Sequence, residues 1–240
     1  MRAALCRSAF ERKALPAAAP SHLLLRFESN GPHRHMRVTL SESATGAARR
    51  QLRSGLAARR RSLPASERAR AARLVAHHVD RLVHLRANWR IALYAALPEE
   101  LDTAPLIALA RERGCRIYLP RIDRRRASRA MQFVEMRGPL ERNRLGIGEP
   151  HSGAVLAARW LDVVFLPLLG FDRHGLRLGT GGGYYDRAFA FRRWRSVWHA
   201  PRLVGLAYAF QQVERIAPAP HDVLLDAVVT DEGIMRCATG

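Results

Sequence analysis

Between Gly175 and Phe189 the chain reads GLRLGTGGGYYDRAF, with five glycines among the nine residues from Gly175 to Gly183. Glycine loses more backbone freedom on folding than any other residue, so a run this dense needs a reason. It follows an apolar stretch, LDVVFLPLLGFD (161–172), and a helical pattern resumes after Gly183. Strand, glycine loop and helix start, in that order, make an anion-holding arrangement, because unpaired N–H groups and the positive end of a helix point at the loop. Glycines accept positive φ and let a phosphate come close to the backbone. Arg177 would add a charge-assisted contact. The same residues also suit an ordinary strand-to-helix turn. Neither common nucleotide pattern fits: no lysine stands near for GxxxxGK[ST], and GxGxxG from Gly179 needs glycine where Tyr184 stands. The ten histidines show no HExxH, and no GxSxG is present, which argues against a zinc site or a serine nucleophile.

The elements that must hold this loop read as alternating helices and apolar strands. From Ala47, AARRQLRSGLAARRRSL places Leu52 and Leu56 on one helical face and Arg49 and Arg53 on another. Pro64 ends that helix or opens the next, in which Val75, Val79 and Leu82 keep helical spacing. A strand at Ile91–Leu97, a helix capped by Asp102 or Thr103 with Pro105 in its first turn, and a strand at Arg116–Pro120 make a parallel crossover unit. MQFVEM (131–136) reads as a short strand and NRLGIGEP (143–150) as a loop. The run 161–172 suits a strand buried on both faces, with further strands at 202–210 and 226–230. The expected fold is α/β, three-layer α/β/α with a mostly parallel, Rossmann-like open sheet. Ligands of such a sheet sit at the carboxyl ends of its strands, where the glycine loop must lie. Residues 1–44 read as a poorly ordered, dispensable extension, and 45–236 as a single domain.

The 240 residues carry a formal net charge of +19, which raises nucleic acid as a partner. Lys13 is the only lysine, and the basic residues are spread along the chain rather than clustered, which argues against that role. No apolar run is long enough to span a membrane. Three widely spaced cysteines, Cys6, Cys115 and Cys237, fit a reducing cytoplasm better than a disulfide framework.

FDRHGLRLGTGGGYYDR (171–187) resembles the signature of the 5-formyltetrahydrofolate cyclo-ligase (5,10-methenyltetrahydrofolate synthetase) family. ARRQLRSGLAARR, PEELDTAPLI, RIYLPRI with MQFVEM, and APAPHDVLLDAVVT resemble its other segments, in the same order, from about Ala47 to Thr230. The resemblance implies an ATP- and Mg²⁺-dependent ligase. ATP would phosphorylate the formyl oxygen of 5-formyltetrahydrofolate, and nitrogen 10 would close the ring to 5,10-methenyltetrahydrofolate. Other readings are a basic nucleic-acid-binding protein on a related fold, or an ATP-dependent ligase for another acidic substrate.

On this resemblance ATP would be held by Arg49, Arg53 and the loop Arg177, Leu178, Gly179, Thr180, Gly181, Gly182, Gly183, Tyr184 and Tyr185. Folate would meet Glu100 and Thr180 to Tyr184, with the acceptor-only carboxylate of Glu100 taking pterin N–H groups. Arg177 and Tyr184 would be catalytic, and Asp186 and Asp222 would hold Mg²⁺, which takes one or two carboxylates plus phosphate oxygens. The family usually has lysine at the position of Arg49. A cytoplasmic monomer is expected. Five of these residues have a plainer role too: Arg49 and Arg53 a solvated basic face, Tyr184 core packing, Glu100 and Asp186 acids favoured near a helix start.

Overall fold

The computed structural model describes residues 23–24, 39–40, 42–122, 130–138, 140–142, 146, 148–194 and 201–237. In chain order these form β1 (Leu23–Leu24), β2 (Thr39–Leu40), α1 (Glu42–Arg61), α2 (Ala65–Val83), β3 (Arg90–Ala92), α3 (Ala104–Glu112), β4 (Arg116–Ile122) and β5 (Met131–Glu135). There follow β6 (Leu140–Arg142), β7 (Gly148–Pro150), β8 (Val155–Leu156), β9 (Val163–Pro167), β10 (Gly170–Phe171), β11 (Arg177–Leu178), α4 (Tyr184–Ala188), β12 (Arg202–Leu206), β13 (Ala227–Val229) and β14 (Ile234–Arg236).

Eight strands make the main sheet, in the order β14-β13-β12-β9-β3-β4-β5-β8. The inner run from β13 to β4 is parallel, and antiparallel strands close both edges. The parallel strands are apolar on both faces because both faces are covered. Along β9 the side chains alternate between two cores. Val163 and Phe165 face Val75 and Val79 of α2 and Leu106 and Ala110 of α3. Val164 and Leu166 face the opposite side with Phe171 and Phe189. This is the expected three-layer arrangement.

Several boundaries differ from the sequence expectation. β3 stops at Ala92 rather than Leu97, because the chain is drawn into a loop. In that loop the Tyr94 hydroxyl donates to the Leu101 carbonyl (3.1 Å) and Thr103 Oγ1 donates to the Tyr94 carbonyl (2.7 Å). The Asp102 carboxylate accepts from the Ala104 N–H (2.9 Å), one position ahead of the N-cap, which is Thr103. The stretch read as a loop at 143–150 contains β7, which pairs with β6; residues 143–145 and 147 lie outside the described residues. The apolar run 161–172 is broken after Pro167, and its end pairs with β11 as a separate hairpin. The helix after Gly183 is only five residues long and passes into a 3₁₀ turn at Ala190–Trp194.

Residues 1–47 form one compact unit and 48–240 another. Within the expected extension, β1 pairs with β2, and α1 begins at Glu42, ahead of the Ala47 start expected from its pattern. The rest of 1–41 lies outside the described residues. Among the described residues no helix is long and apolar enough to cross a membrane.

Candidate active site

Four segments meet beyond the carboxyl ends of β3, β9 and β12: α1, the loop around Glu100, the glycine loop, and the approach to β13. On α1 the spacings of four and seven residues keep Arg49, Arg53 and Arg60 within about 40° of one another around the axis. Each has a different fate.

Arg49 is 8% exposed. Its Nη1 and Nη2 donate to Asp222 Oδ2 (2.9 Å) and Oδ1 (3.0 Å), and Nη1 also donates to the Ala217 carbonyl (3.2 Å). Asp222 Oδ2 accepts the Ala219 N–H as well (2.8 Å). This two-pronged match is one that a guanidinium makes and an ammonium cannot. It joins α1 to the segment that leads into β13.

Arg53 Nε donates to the Gly179 carbonyl at 2.9 Å, so this cation rests directly on the glycine loop. Burial, and then the like charges of Arg49 and Arg50, hold the Arg53 guanidinium below its ordinary value, while Asp222 works the other way. Its two terminal nitrogens donate to no described group. A cation crowded by cations, with donors to spare, is complementary to a polyanion.

The loop itself is a hairpin tip followed by glycines. Asp172 is fully buried and holds the hairpin turn: its Oδ1 accepts from the N–H groups of His174 (2.9 Å) and Leu176 (3.1 Å), and its Oδ2 from that of Ile216 (3.0 Å). Leu178 is buried, and its carbonyl accepts from the Leu169 N–H (2.7 Å). Gly181 and Gly183 have φ of +107° and +61°, a region that L side chains avoid. The N–H groups of Thr180, Gly181, Gly182 and Gly183 donate to no described partner. α4 is too short for its dipole to matter greatly, so the free backbone donors carry the attraction for an anion. Thr180, Gly181 and Gly182 are exposed.

Arg177 behaves differently from its expected contact with phosphate. It is 6% exposed, and its guanidinium turns inward, donating to the Val223 carbonyl and from Nη2 to Asp186 Oδ1 (2.7 Å). Burial is the main influence on it and lowers its affinity for the proton; the neighbouring Asp186 opposes that. Arg177 thereby ties the loop's entry to Asp186 and to the segment before β13. Asp186 Oδ1 also accepts the Val223 N–H (3.2 Å), while Oδ2 has no described partner.

The Tyr184 ring lies under the Arg187 guanidinium, 5.0 Å from centroid to carbon, and is half-buried. Tyr185 stacks on Phe189 with centroids 6.5 Å apart, and burial, then Glu100, push its phenol well up. Tyr185 lies within electrostatic reach of both Arg177 and Glu100. Glu100 is half-buried and accepts the Leu97 N–H at Oε2 (3.1 Å); burial raises its carboxyl above the ordinary range, against the pull of Leu97 and Arg60.

The sequence-predicted residues thus converge, with Arg53, Gly179 to Tyr184, Asp186 and Glu100 around one region. Asp222 is in the same region, but both of its oxygens are taken by Arg49. Sequence reasoning missed Asp172 and Arg60. The first carries the turn signal of an Asx followed by Gly175. The second shares the helical face of Arg49 and Arg53. Among the described residues no three His, Cys, Asp or Glu side chains cluster for a metal. For Mg²⁺, Asp186 offers a free oxygen and fits, while Asp222 as it stands is committed elsewhere.

The 5-formyltetrahydrofolate cyclo-ligase family matches residues 45–231. The 5-formyltetrahydrofolate cyclo-ligase of Haemophilus influenzae is 34% identical over 186 residues, covering 75% of this chain and 97% of that relative. The mouse 5-formyltetrahydrofolate cyclo-ligase is 31% identical, covering 78% and 95%. The solved structure of the Aquifex aeolicus 5,10-methenyltetrahydrofolate synthetase superposes with a TM-score of 0.67 at 27% identity, covering 80% of this chain and 94% of that one.

Proposed function

The chain belongs to the 5-formyltetrahydrofolate cyclo-ligase family, and on that premise we propose that it converts 5-formyltetrahydrofolate to 5,10-methenyltetrahydrofolate with ATP in the cytoplasm. The formyl oxygen attacks the γ-phosphorus of ATP and the bond to ADP breaks. Nitrogen 10 then bonds the activated carbon, its proton passes to solvent, and the carbon–oxygen bond breaks to release phosphate. An amide-like formyl oxygen is a poor leaving group until it is phosphorylated, so positioning and charge neutralisation do most of the work.

The observation that carries this reading is the Arg53 contact with the Gly179 carbonyl. It sets uncommitted guanidinium donors beside the free N–H groups of the loop, as a triphosphate requires. Arg49 supports that arrangement from behind through Asp222, and Arg177 does so through Asp186. Glu100 accepts the N–H edge of the pterin, and Tyr184 offers a ring face to one of the two substrates. Mg²⁺, when bound, would supply charge neutralisation; Asp186 would hold it, and Asp222 would join only if its pair with Arg49 opened.

Purified protein given ATP, Mg²⁺ and 5-formyltetrahydrofolate is expected to develop methenyl absorbance and release ADP in equal amounts. Neither product appearing would overturn the reading. ATP hydrolysis stimulated by another acid, but not by the folate, would replace it with a ligase of different substrate.

A further inference from the structure

Arg60 is the most deeply buried of the three α1 arginines facing the site, at 5% exposure. Its Nε is sealed from solvent without a partner, and its side chain makes no hydrogen bond to any described group. A guanidinium cannot shed its proton at ordinary pH, and a buried one left unpaired is costly. The groups around it do not resolve this. It lies within electrostatic reach of Glu100, Tyr94 and Tyr208, yet both phenols donate elsewhere, Tyr94 to the Leu101 carbonyl and Tyr208 to the Glu100 carbonyl (3.4 Å). Glu100 spends one oxygen on Leu97 and makes no ion pair with Arg60. A buried donor and a half-buried acceptor of opposite charge therefore lie within electrostatic reach of each other without pairing.

A reduced pterin presents a matching edge. Its 4-oxo oxygen accepts, and its adjacent N3–H and 2-amino group donate. We propose that Arg60 is a second substrate-binding residue, donating to the 4-oxo oxygen while Glu100 accepts from N3 and the 2-amino group. The inference rests on the cyclo-ligase reading above. It assigns Arg60 to recognition of the pteridine, separately from the phosphate-facing role of Arg53 on the same helix.

The test compares equilibrium binding of 5-formyltetrahydrofolate and its 4-amino-4-deoxy counterpart to wild type, Arg60→Met and Arg60→Lys, with a non-hydrolysable ATP analogue titrated in parallel. Wild type is expected to prefer the 4-oxo compound. Arg60→Met should lose roughly ten- to a hundredfold affinity for it, the range for a hydrogen bond from a charged donor. Affinity for the 4-amino compound should change little, so the preference collapses, and ATP-analogue binding should hold. Arg60→Lys should restore part of the preference. Equal losses for both pteridines, an unchanged preference, or a wild type with no 4-oxo preference would each overturn the assignment, the last without needing a folded variant. A wild type that binds neither pteridine would overturn the cyclo-ligase reading itself.

Discussion

Arg49 and Asp222 form a bidentate ion pair with side chains only 10% and 9% exposed. Removing one partner of such a pair strands the other, at about 3–5 kcal/mol. Asp222→Asn is therefore expected to lower the midpoint of chemical denaturation sharply, whether or not it also alters metal dependence. Arg49→Lys keeps the charge but makes one bond where the fork makes two, so it should fall between wild type and Arg49→Ala. Glu100 gives a pH prediction of opposite sense. Burial holds its folded-state pKa above the unfolded one, so the fold favours the protonated form. Its stabilising contribution is present below the unfolded pKa and is lost as pH rises through the folded value. Glu100→Gln should therefore keep or raise stability at neutral pH, measured by thermal melting, while folate affinity falls at least tenfold. The acid limb of wild-type folate binding should lie above the ordinary glutamate range and should flatten in the variant.

At the scale of elements, the glycine loop depends on its conformation more than on its side chains. Gly183 sits at φ +61°, where a side chain that branches at Cβ is strained by roughly 1–2 kcal/mol and asparagine is tolerated. Gly183→Val should raise the KM for ATP and lower stability, whereas Gly183→Asn should keep most activity in the same assay. A Cβ on Gly182 would meet the Tyr184 ring at 2.7 Å, so Gly182→Ala must displace that ring. Its effect should show in the folate KM more than in stability. The layers of the fold were legible because apolar runs and helical spacing report burial directly, as β9, α2 and α3 show. The breaks were not: nothing local to Leu93 says that the chain must leave the sheet to let Tyr94 and Thr103 close the Glu100 loop. The expectation of an anion site at the glycine loop came from its own residues, whereas that for Arg53 came only through the family resemblance. The inward turn of Arg177 was not legible, because it depends on Asp186 and Val223 arriving from elsewhere, and side-chain type alone does not tell a ligand contact from a strut.

Across the whole molecule the +19 charge is spread along the chain rather than clustered on one module, and the internal ion pairs leave that surplus unchanged. Arg49, Arg60 and Arg177 are buried, and Arg192 is fixed on Asp226 by two bonds of 2.9 and 2.7 Å. The protein should give no gel shift with duplex DNA or RNA at physiological salt; a strong, salt-dependent shift without turnover would favour the nucleic-acid alternative. Deleting residues 1–40 removes β1 and β2 but leaves α1 whole, and we expect the turnover number to be unchanged. The Arg49–Asp222 pair spans 173 positions of sequence. A ribosome adding about 5–20 residues per second takes roughly ten to thirty-five seconds to cover that interval. For that time Arg49 on the nascent first helix lacks the carboxylate that later receives it. The proposed site is therefore among the last parts of the protein to be completed during synthesis, and a chain stalled before Asp222 has most of its sheet strands but lacks the carboxylate that fixes Arg49.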